Sequence, residues 1–492
     1  MLASSPDERR LDGAQERRCR LRRRRSETLS AGRRIWLLLP DPLSTRIFFD
    51  CRIVELLSER FGDRLEVVFL MPRDHVAEWE PRLEGLSVSY REELFPLRLH
   101  GAQRVGRRLD RWLDDRIGFY PLAIRVNLRY GFHRERMQPG HQNWFLDPTR
   151  VGPLPRWGAV ERAMLRWHFS RLRYVPAPLR RRLRAERPAL LMSNIQMQAV
   201  VPAILAGRDA GLPLIGYIAS WDHTVGKGMI WPGMRRYLVQ NDVMRSDLER
   251  YHGIGSERVV VTGWPQTDVF HARRPREAYE TLLRGYGLDP RRPLVLVMGN
   301  TPINAPYEAR FVERVVAWWQ AGPRERFQLL FRPHPRDQQW RDRFAAAIGQ
   351  PGAYVQEPSY TDLETLATLL QHGDCVVANA GTILLDSLVN DRPAVCVLYD
   401  EGGPPGESWA AKNVTGEHYR QLMESTAFYR AHDFDEVVAG IERALASPEE
   451  LSAERRRVAR EVVGEVDGRA GERVVEAALE AADLGAAYNR SP

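Results

Sequence analysis

Short apolar runs alternate with helical patterns along most of this chain. Ile35 to Leu39 and Leu294 to Met298 are continuous apolar runs, and Phe327 to Phe331 is apolar except for Gln328; such runs are typical of buried strands. Between such runs the apolar residues recur at helical spacing, as from Thr45 to Arg60, where we predict one helix. Strands that alternate with helices indicate βαβ units and parallel sheets. The alternation forms two series, so we predict an α/β protein with two domains.

Changes in this pattern give the domain boundaries. The first α/β series is interrupted by a segment rich in Arg, Trp and Tyr, which we predict to be a helical insert. After about residue 430 only helical patterns remain, including one predicted helix from Glu449 to Leu484. The predicted organisation is a disordered Arg-rich tail, a first domain with its insert, a second domain, and C-terminal helices: 1–32, 33–272 with the insert at about 95–187, 273–430 and 431–492.

Composition excludes several classes of protein. A chain of 492 residues is too long for one core, and its apolar runs are far shorter than the roughly 20 residues that a membrane-spanning helix needs. The net charge is +8, but residues 1–34 hold 11 Arg and 5 acidic residues and so carry +6 of it. The remaining chain carries only +2, so we expect no nucleic-acid partner. The basic tail is either a solvated segment or a contact with an anionic membrane surface.

The cysteines point to a reducing compartment. All four are scattered, without a CxxC motif or a close His partner, so we expect neither a disulfide framework nor a zinc site: Cys19, Cys51, Cys375 and Cys396. The basic residues Arg22 to Arg25 are followed by polar residues, which is unlike a secretory signal. We therefore expect a cytoplasmic protein. If the tail binds lipid, we expect it at the inner face of the cytoplasmic membrane.

Polar loops directly after predicted strands are the candidate sites, because ligands of open parallel sheets bind beyond the carboxyl ends of the strands. The first such loop begins with Ser220 and Trp221, which we place on the acceptor side. Asp222 is our candidate general base, with His223 as the alternative, since either can accept a proton from a hydroxyl. Lys227 supplies a point charge suited to phosphate. The competing interpretation is an ordinary polar loop in which Asp222 caps a turn.

The second loop is Arg332-Pro333-His334-Pro335, in which two prolines stiffen the chain around the imidazole. Arg332 can hold a phosphate with two parallel hydrogen bonds. His334 can donate a hydrogen bond or a proton to the same group, so we count it among both the catalytic and the donor-binding residues. The alternative for a single His of this kind is a structural role.

Two further loops offer backbone amides to an anion. Gly381 and Thr382 begin a predicted helix, whose free amides and dipole favour phosphate. Asp386, one turn into that helix, is our candidate acceptor for a ribose hydroxyl. Asn300 and Thr301 follow the first strand of the second series and are weaker candidates for phosphate. The alternative for Thr382 is that it only caps the helix.

Several familiar site motifs are absent from the sequence. It contains no Walker A loop, no GxGxxG dinucleotide loop, no HExxH helix and no GxSxG elbow. Kinases of the P-loop type, dehydrogenases, zinc proteases and α/β-hydrolases therefore lack support here.

The loops and their spacing resemble a known group of enzymes. The residues in question are Ser220 to Asp222, Lys227-Gly228, Arg236 to Val239, Val259 to Pro265, the RPHP loop, and the block from Asp362 to Leu398 with its Ala380-Gly381-Thr382 turn. In this combination the chain resembles bacterial nucleotide-sugar-dependent glycosyltransferases of the GT-B fold. The RPHP loop and the following block also resemble the CDP-glycerol glycerophosphotransferases of teichoic acid and capsule synthesis.

The resemblance implies a fold and an activity. It implies two Rossmann-like domains facing across a cleft, with a nucleotide diphosphate donor on the second domain and the acceptor on the first. Arg332, His334, Gly381 and Thr382 would lie at the donor phosphates. Such enzymes usually need no metal, so we expect no cofactor beyond the nucleotide donor. The expected activity is transfer of a sugar from a nucleotide sugar to a hydroxyl of a glycan or lipid-linked acceptor in cell-surface polysaccharide synthesis.

Three other functions stay open. The first is transfer of glycerol phosphate from CDP-glycerol, since both activities use an RxHP loop. The second is a UDP-N-acetylglucosamine 2-epimerase, which shares the fold, but the Thr-Glu-Arg-Pro-Glu stretch of those enzymes is replaced by Val397 to Glu401 (VLYDE) here. The third is a non-catalytic protein that binds nucleotide sugars.

Overall fold

The computed structural model describes residues 34–93, 177–225, 230–231, 233–404, 408–414 and 417–488. The predicted tail, most of the predicted insert and Lys227 lie outside this part of the chain. The described residues form parallel strands and helices in alternation, as the hydrophobic pattern predicts. The strands are β1 Ile35–Leu39, β2 Leu65–Phe69, β3 Ser89–Glu92, β4 Ala189–Met192, β5 Leu214–Tyr217, β6 Arg236–Val239, β7 Val259–Val261, β8 Leu294–Met298, β9 Gln328–Arg332, β10 Ala353–Val355, β11 Cys375–Ala378, β12 Ala394–Val397 and β13 Tyr429–Ala431.

The helices connect these strands and close the chain. They are α1 Pro42–Asp50, α2 Ile53–Phe61, α3 Arg73–Val76, α4 Ala177–Glu186, α5 Val201–Asp209, α6 Asp242–His252, α7 Gln266–His271, α8 Arg276–Gly285, α9 Glu308–Ala321, α10 Trp340–Arg343, α11 Leu363–His372, α12 Thr382–Val389, α13 Trp409–Asn413, α14 Arg420–Glu424, α15 Phe434–Ala446, α16 Ser452–Val462 and α17 Ala470–Tyr488. No helix in the described ranges is both long and apolar enough to cross a bilayer.

Each series of strands forms its own parallel sheet. The first has the order β3-β2-β1-β4-β5-β6-β7 and the second the order β10-β9-β8-β11-β12-β13. In both sheets the order reverses next to the first strand, between β1 and β4 and between β8 and β11. Ligands of doubly wound sheets bind at this reversal, outside the carboxyl ends of the strands. The topology confirms two Rossmann-like domains of the GT-B type and indicates where each would bind its ligand.

The predicted helix from Thr45 to Arg60 is two helices, α1 and α2. Arg52 separates them with a left-handed backbone, φ +58°, which ends α1 and turns the chain. Both helices bury their apolar residues, among them Phe48 and Val54, so the apolar spacing runs through the break without marking it. This part of the prediction was wrong because periodicity does not report a single left-handed residue.

The C-terminal region also differs from the prediction. A short strand, β13, pairs with β12 and extends the second sheet. The predicted long helix from Glu449 is divided into α16 and α17 by a segment in which Gly464 and Gly468 have positive φ values of 96° and 72°. Glycine adopts this backbone without steric cost, and the turn it allows redirects the last helix.

Helix α17 returns to the first domain. The backbone N–H groups of Ala470 and Gly471 donate to the carboxylate of Asp268, at 3.0 and 2.7 Å. The guanidinium of Arg473 donates to the carbonyl oxygen of Thr262 at 2.7 Å. The larger apolar core is continuous from the first domain through the domain boundary to this helix. The C-terminal helices therefore fasten the two domains together.

Candidate active site

Side chains from both domains meet between the two sheets. Gln266 donates to Asp386, the Nη2 atom of Arg336 lies 3.9 Å from Asp41, His75 packs edge-on against Tyr360, and Trp221 packs edge-on against His418 and Tyr419. In each pair one residue belongs to the first domain and the other to the second domain or its C-terminal extension. These contacts define the cleft, and they follow the carboxyl ends of the strands.

The RPHP loop holds His334 in one protonation state. The backbone N–H of Arg336 donates to Nδ1 of His334 at 3.0 Å, so the proton of the neutral ring is on Nε2. Burial, followed by the charges of Arg336 and Arg46, lowers the pKa of His334 to about 3. The imidazole is therefore neutral near pH 7 and offers one N–H donor, at Nε2.

Arg332 is held by neighbours in its own domain. Its Nη1 atom lies 2.6 Å from a carboxylate oxygen of Asp362 and donates to Gln356 at 2.6 Å. Gln356 in turn donates to the same oxygen of Asp362 at 3.0 Å. Arg332 is almost entirely buried in this arrangement. The predicted contact of Arg332 with a phosphate stays a prediction. It requires that the guanidinium of Arg332 bind the phosphate while it keeps its ion pair with Asp362, or that it share its N–H groups between the two.

A buried network joins the loops that follow β8 and β9 to the turn before α12. The side-chain amide of Asn300 donates to the carbonyl of Ala380 at 2.8 Å, and the backbone N–H of Asn300 donates to Glu308 at 2.8 Å. Arg343 donates to the carbonyl of Asn300 at 3.0 Å, pairs with Glu308 at 2.7 Å and also bonds Asp337. The three loops are thus brought to one edge of the sheet, as predicted from their positions after the strands.

Glu308 and Asn300 have distinct roles in this network, and only Asn300 was named from the sequence. Burial raises the pKa of Glu308 to about 8, although Arg343 opposes the shift. The side chain of Asn300 is used to fasten the turn before α12, and its Oδ1 atom accepts from the N–H of Thr301 at 2.8 Å. A role for Asn300 in donor binding stays a prediction, but the structure shows that its side chain already has partners.

The start of α12 carries free amides. Gly381 is the residue before the helix and gives it no side-chain cap, while Thr382 is its first residue. The structural alternative, in which Thr382 caps the helix, is therefore wrong. Within the described residues the backbone N–H groups of Thr382 and Ile383 have no hydrogen-bond acceptor. A Cβ atom added at Gly381 would meet nothing closer than 3.8 Å, so an open space adjoins these amides. Such a helix start attracts anions.

Asp386 lies farther along the same helix and contacts the first domain. It is 2% exposed, and its Oδ1 atom accepts from Nε2 of Gln266 at 2.8 Å. Gln266 accepts in turn, at 3.4 Å, from Nη2 of Arg46 on α1. Burial raises the pKa of Asp386 to about 7. The structure thus places Asp386 in a link between domains, and its predicted role at a ribose stays untested.

The loop with Asp222 and His223 reaches the cleft from the first domain. Ser220 donates to Oδ1 of Asp222 at 2.5 Å, and Nε2 of His223 lies 4.0 Å from the same oxygen. Trp221 is buried and packs on His418, with the ring centres 4.8 Å apart. The two candidate bases are therefore adjacent, on a loop that touches the second half of the molecule. Lys227 lies outside the described residues, so its predicted place beside these two side chains stays a prediction.

The same loop is supported by a buried His that the sequence did not single out. Nε2 of His252 donates to the carbonyl of Thr224 at 2.7 Å, and its Nδ1 accepts from the N–H of Ile230 at 3.2 Å. Burial lowers the pKa of His252 to about 4, so the ring stays neutral and can serve both partners. It holds the two ends of the segment that contains Lys227.

Sequence reasoning missed several residues at the cleft, among them Asp41, Arg46, Asn194 and Arg336. Asp41 and Asn194 follow β1 and β4, Arg46 is on α1, and Arg336 directly follows the RPHP loop. Position after a strand was a usable signal for Asp41 and Asn194. The part played by Arg46 depends on how the domains pack, which no local pattern reports. In the described part of the chain, no three His, Cys, Asp or Glu residues are grouped so as to hold a metal ion.

The fold and the cleft define a two-domain protein of the GT-B class. Comparison with known families identifies it further: the sequence profile of CDP-glycerol:poly(glycerophosphate) glycerophosphotransferase matches residues 233–480, which is 248 of the 492 residues. The chain belongs to this family. It is a transferase of the glycosyltransferase and glycerophosphotransferase class that acts in the synthesis of cell-surface polymers.

Solved structures of similar fold come from several enzymes. UDP-GlcNAc 2-epimerase from Neisseria meningitidis is 10% identical with a TM-score of 0.50, covering 91% of this chain and 100% of that one. A putative UDP-N-acetylglucosamine 2-epimerase from Listeria monocytogenes is 12% identical with a TM-score of 0.50, covering 94% and 98%. A glycosyltransferase from Rickettsia africae is 9% identical with a TM-score of 0.47, covering 93% and 99%. At these identities the likeness concerns the fold alone. No curated protein sequence matches the chain.

Proposed function

We propose that the protein transfers glycerol phosphate, or a closely related polyol phosphate, from a cytidine diphosphate donor to a hydroxyl of a growing cell-surface polymer. The observation that carries the proposal is the neutral His334, whose Nε2–H is available beside several arginines and at the same sheet edge as the free amides of α12. This is an arrangement for binding a pyrophosphate. Membership of the family supports glycerol phosphate as the transferred group.

The reaction balances as a displacement at phosphorus. The acceptor hydroxyl attacks the phosphorus that carries the glycerol, a new P–O bond forms, and the bond to the bridging oxygen breaks. CMP leaves with the bonding electron pair, and the hydroxyl proton passes to a base. We assign that base to Asp222, with His223 as the alternative, because both lie on the loop that enters the cleft from the acceptor domain.

Stabilisation of the leaving group is assigned to the second domain. His334 donates one hydrogen bond from Nε2, the amides of Thr382 and Ile383 donate two more, and Arg332 adds positive charge. Hydrogen bonds aimed at developing negative charge are the largest contributions that proteins make to such steps. We assign Lys227 to the same charge, by its place in the sequence. The proposal requires no metal ion, so turnover should persist in EDTA.

A nucleotide sugar is the second candidate donor. The groups assigned to the pyrophosphate would serve either donor, because both contain that unit. For a sugar donor the bond to the sugar carbon breaks instead, and a nucleoside diphosphate leaves. The two donors are therefore distinguished by which of them the protein binds and by whether a nucleoside monophosphate or a nucleoside diphosphate is released.

A thermal-shift panel tests the proposal. CDP-glycerol, UDP-sugars and GDP-sugars are compared, each at a concentration series. A ligand at 100 times its dissociation constant stabilises the folded state by about 2.7 kcal/mol. We expect CDP-glycerol to raise the melting temperature at the lowest concentration. If only UDP- or GDP-sugars do so, the sugar transferase replaces the proposal, and if no nucleotide diphosphate does so, the donor site as proposed is wrong.

We also propose that the protein works at the cytoplasmic face of the membrane, in capsule or related polymer synthesis. The support is the excess of Arg in residues 1–34, since each basic residue near an anionic surface contributes about 1 kcal/mol of attraction. Sedimentation with phosphatidylglycerol vesicles, with and without residues 1–30, measures this. Unchanged sedimentation of the shortened protein would contradict the proposal.

A further inference from the structure

Asn194 has an unusual environment at the strand-order reversal of the first sheet. It lies two residues beyond the end of β4, beside the segment that follows β1. Its side-chain nitrogen donates to Oδ2 of Asp41 at 2.9 Å. Because the nitrogen faces a carboxylate, the orientation of the amide is fixed and Oδ1 is left as an acceptor. Asn194 is 8% exposed, and Oδ1 is buried without a hydrogen-bond partner among the described residues.

One feature of Asn194 opposes folding. It is not the backbone, whose φ of +49° is left-handed, because asparagine adopts that region more readily than most residues with side chains. It is the buried oxygen, which among the described residues lacks the partner that nearly all buried polar atoms have. An unsatisfied polar atom at the point where such sheets bind ligands indicates a role in binding rather than in stability.

The neighbours of Asn194 indicate the chemistry of a ligand that would fit beside it. Asp41 is fixed by the backbone N–H of Ser44 at 3.0 Å and by the Ser44 hydroxyl, so it holds the amide of Asn194 in place. Arg336 reaches across the cleft and stops 3.9 Å from Asp41, too far for a hydrogen bond, with half of its side chain exposed. Among the described residues, an acceptor without a partner therefore adjoins Asp41, and Arg336 meets that same carboxylate only through a long ion pair, which leaves its guanidinium able to bind a phosphate. This pairing suits a molecule that carries a hydroxyl next to a phosphate.

We propose that Asn194 is a substrate-binding residue, which accepts a hydrogen bond from a hydroxyl of a polyol phosphate while Arg336 pairs with its phosphate. The inference rests on the proposed function and assigns to these residues the recognition of the polymer end on the acceptor domain. Asn194 thereby selects a hydroxylated unit, since a chain end without that hydroxyl would leave Oδ1 unsatisfied in the complex.

The test compares two phosphates that differ only in hydroxyls. Glycerol 3-phosphate and n-propyl phosphate are titrated calorimetrically into the full-length protein. We expect the wild-type protein to bind glycerol 3-phosphate about tenfold more tightly, a typical effect of one buried hydrogen bond. In Asn194→Gly this ratio should fall to about one. Glycine adopts the left-handed backbone readily, so this variant should melt at the same or a higher temperature than the wild type.

Two further variants separate binding from structure. Ser193→Ala removes the buried hydroxyl of the preceding residue, which has no hydrogen-bond partner in the described part of the chain, and should leave the ratio near ten. Arg336→Gln should weaken both phosphates equally and also keep the ratio. A ratio of one in the wild type, or a ratio that survives in Asn194→Gly, overturns the inference. Replacing glycerol 3-phosphate by glucose 1-phosphate shows whether a sugar phosphate binds more tightly; loss of that preference in Asn194→Gly would support the same assignment.

The outcome is independent of the donor experiment. The phosphates are titrated without a nucleotide, and the shift in melting temperature with CDP-glycerol is measured in wild type and in Asn194→Gly. Equal shifts with a changed ratio support both proposals. No shift with any nucleotide diphosphate would contradict the proposed function even if the ratio behaves as expected.

Discussion

The environment of His334 keeps its ring neutral, so the role proposed for it is that of a hydrogen-bond donor. The N–H of Arg336 occupies Nδ1, and burial among arginines keeps the ring neutral until about pH 3. A neutral imidazole at pH 7 is a poor acid, but its Nε2–H is an oriented donor that needs no reorganisation. A bound phosphate would offset the nearby positive charges and raise the pKa of the ring.

This role predicts different effects for two substitutions of His334. Alanine removes the donor and should lower kcat by about 10²–10³-fold, as for other donors to developing negative charge. Glutamine places an N–H near the position of Nε2 and should recover part of that loss. Steady-state kinetics with CDP-glycerol measures both, and circular dichroism checks folding. If glutamine is as inactive as alanine, proton donation rather than hydrogen bonding is the role of His334.

Asp386 makes stability depend on pH. Its pKa is about 7 in the folded protein, above the value of about 4 expected for an unfolded chain. Between these values the folded state binds more protons than the unfolded state, so this group's contribution to stability falls as the pH rises from about 4 to 7. In Asp386→Asn that loss should be absent. Urea unfolding at pH 5 and pH 7.5 measures the difference, and equal pH dependence in both proteins would contradict the assigned pKa.

At the scale of elements, Arg343 holds the loops of the second domain together. Its guanidinium bonds the buried carboxylates of Asp337 and Glu308 and the carbonyl of the half-buried Asn300. Lysine keeps the charge but offers a single ammonium instead of a planar fork. The positions of the RPHP loop and the turn before α12 therefore depend on this one side chain of α10.

The expected result for Arg343→Lys is a loss of stability of about 2 kcal/mol and weaker binding of CDP-glycerol. The control is Arg341→Lys on the same short helix. Arg341 is 70% exposed, pairs with the exposed Glu357 and lies over the Trp340 ring, so its change should stay within about 0.5 kcal/mol. Urea unfolding compares the two variants. Equal stability of both would show that the network does not hold the loops.

The sequence predicted those parts of the site that depend on local order along the chain. The RPHP loop and the Gly381 turn follow apolar runs, and parallel topology brings the ends of those runs to one edge. The link from Arg46 through Gln266 to Asp386 joins residues that are 220 and 120 positions apart, and Asn194 lies 153 positions from Asp41. The first and third of these pairs are set by how the elements of the first domain pack, and the pair of Gln266 and Asp386 by how the two domains pack; none of them carries a periodicity in the sequence. The left-handed Arg52 was missed for a related reason, since the apolar spacing continues through it.

At the scale of the whole molecule, the last helix makes the two domains one unit. Gly471 of α17 lies so close to the first domain that an added Cβ would come within 2.6 Å of the carbonyl oxygen of Cys51. Asp268 binds the start of the same helix through two backbone amides. Helix α17 follows the second domain in sequence and thus packs on the first.

Gly471→Ala should therefore separate α17 from α2 and cost about 1–3 kcal/mol, the usual range for overpacking. Gly285→Ala is the matched control, because a Cβ at that helix end meets nothing within 4 Å. Its effect should be neutral or slightly stabilising. Thermal unfolding and CDP-glycerol turnover are measured for both. Equal melting temperatures for the two variants would contradict the close contact.

The most direct test is to identify the nucleotide released during turnover. Wild-type protein and His334→Ala are incubated with CDP-glycerol and an oligomeric glycerol phosphate acceptor, and the products are separated by ion-exchange chromatography. If the protein transfers glycerol phosphate at this site, the wild type should release one CMP for each glycerol phosphate unit added to the acceptor. The rate of CMP release should be far lower in His334→Ala. Release of CDP, or CMP formation that does not need His334, would contradict transfer of glycerol phosphate at this site.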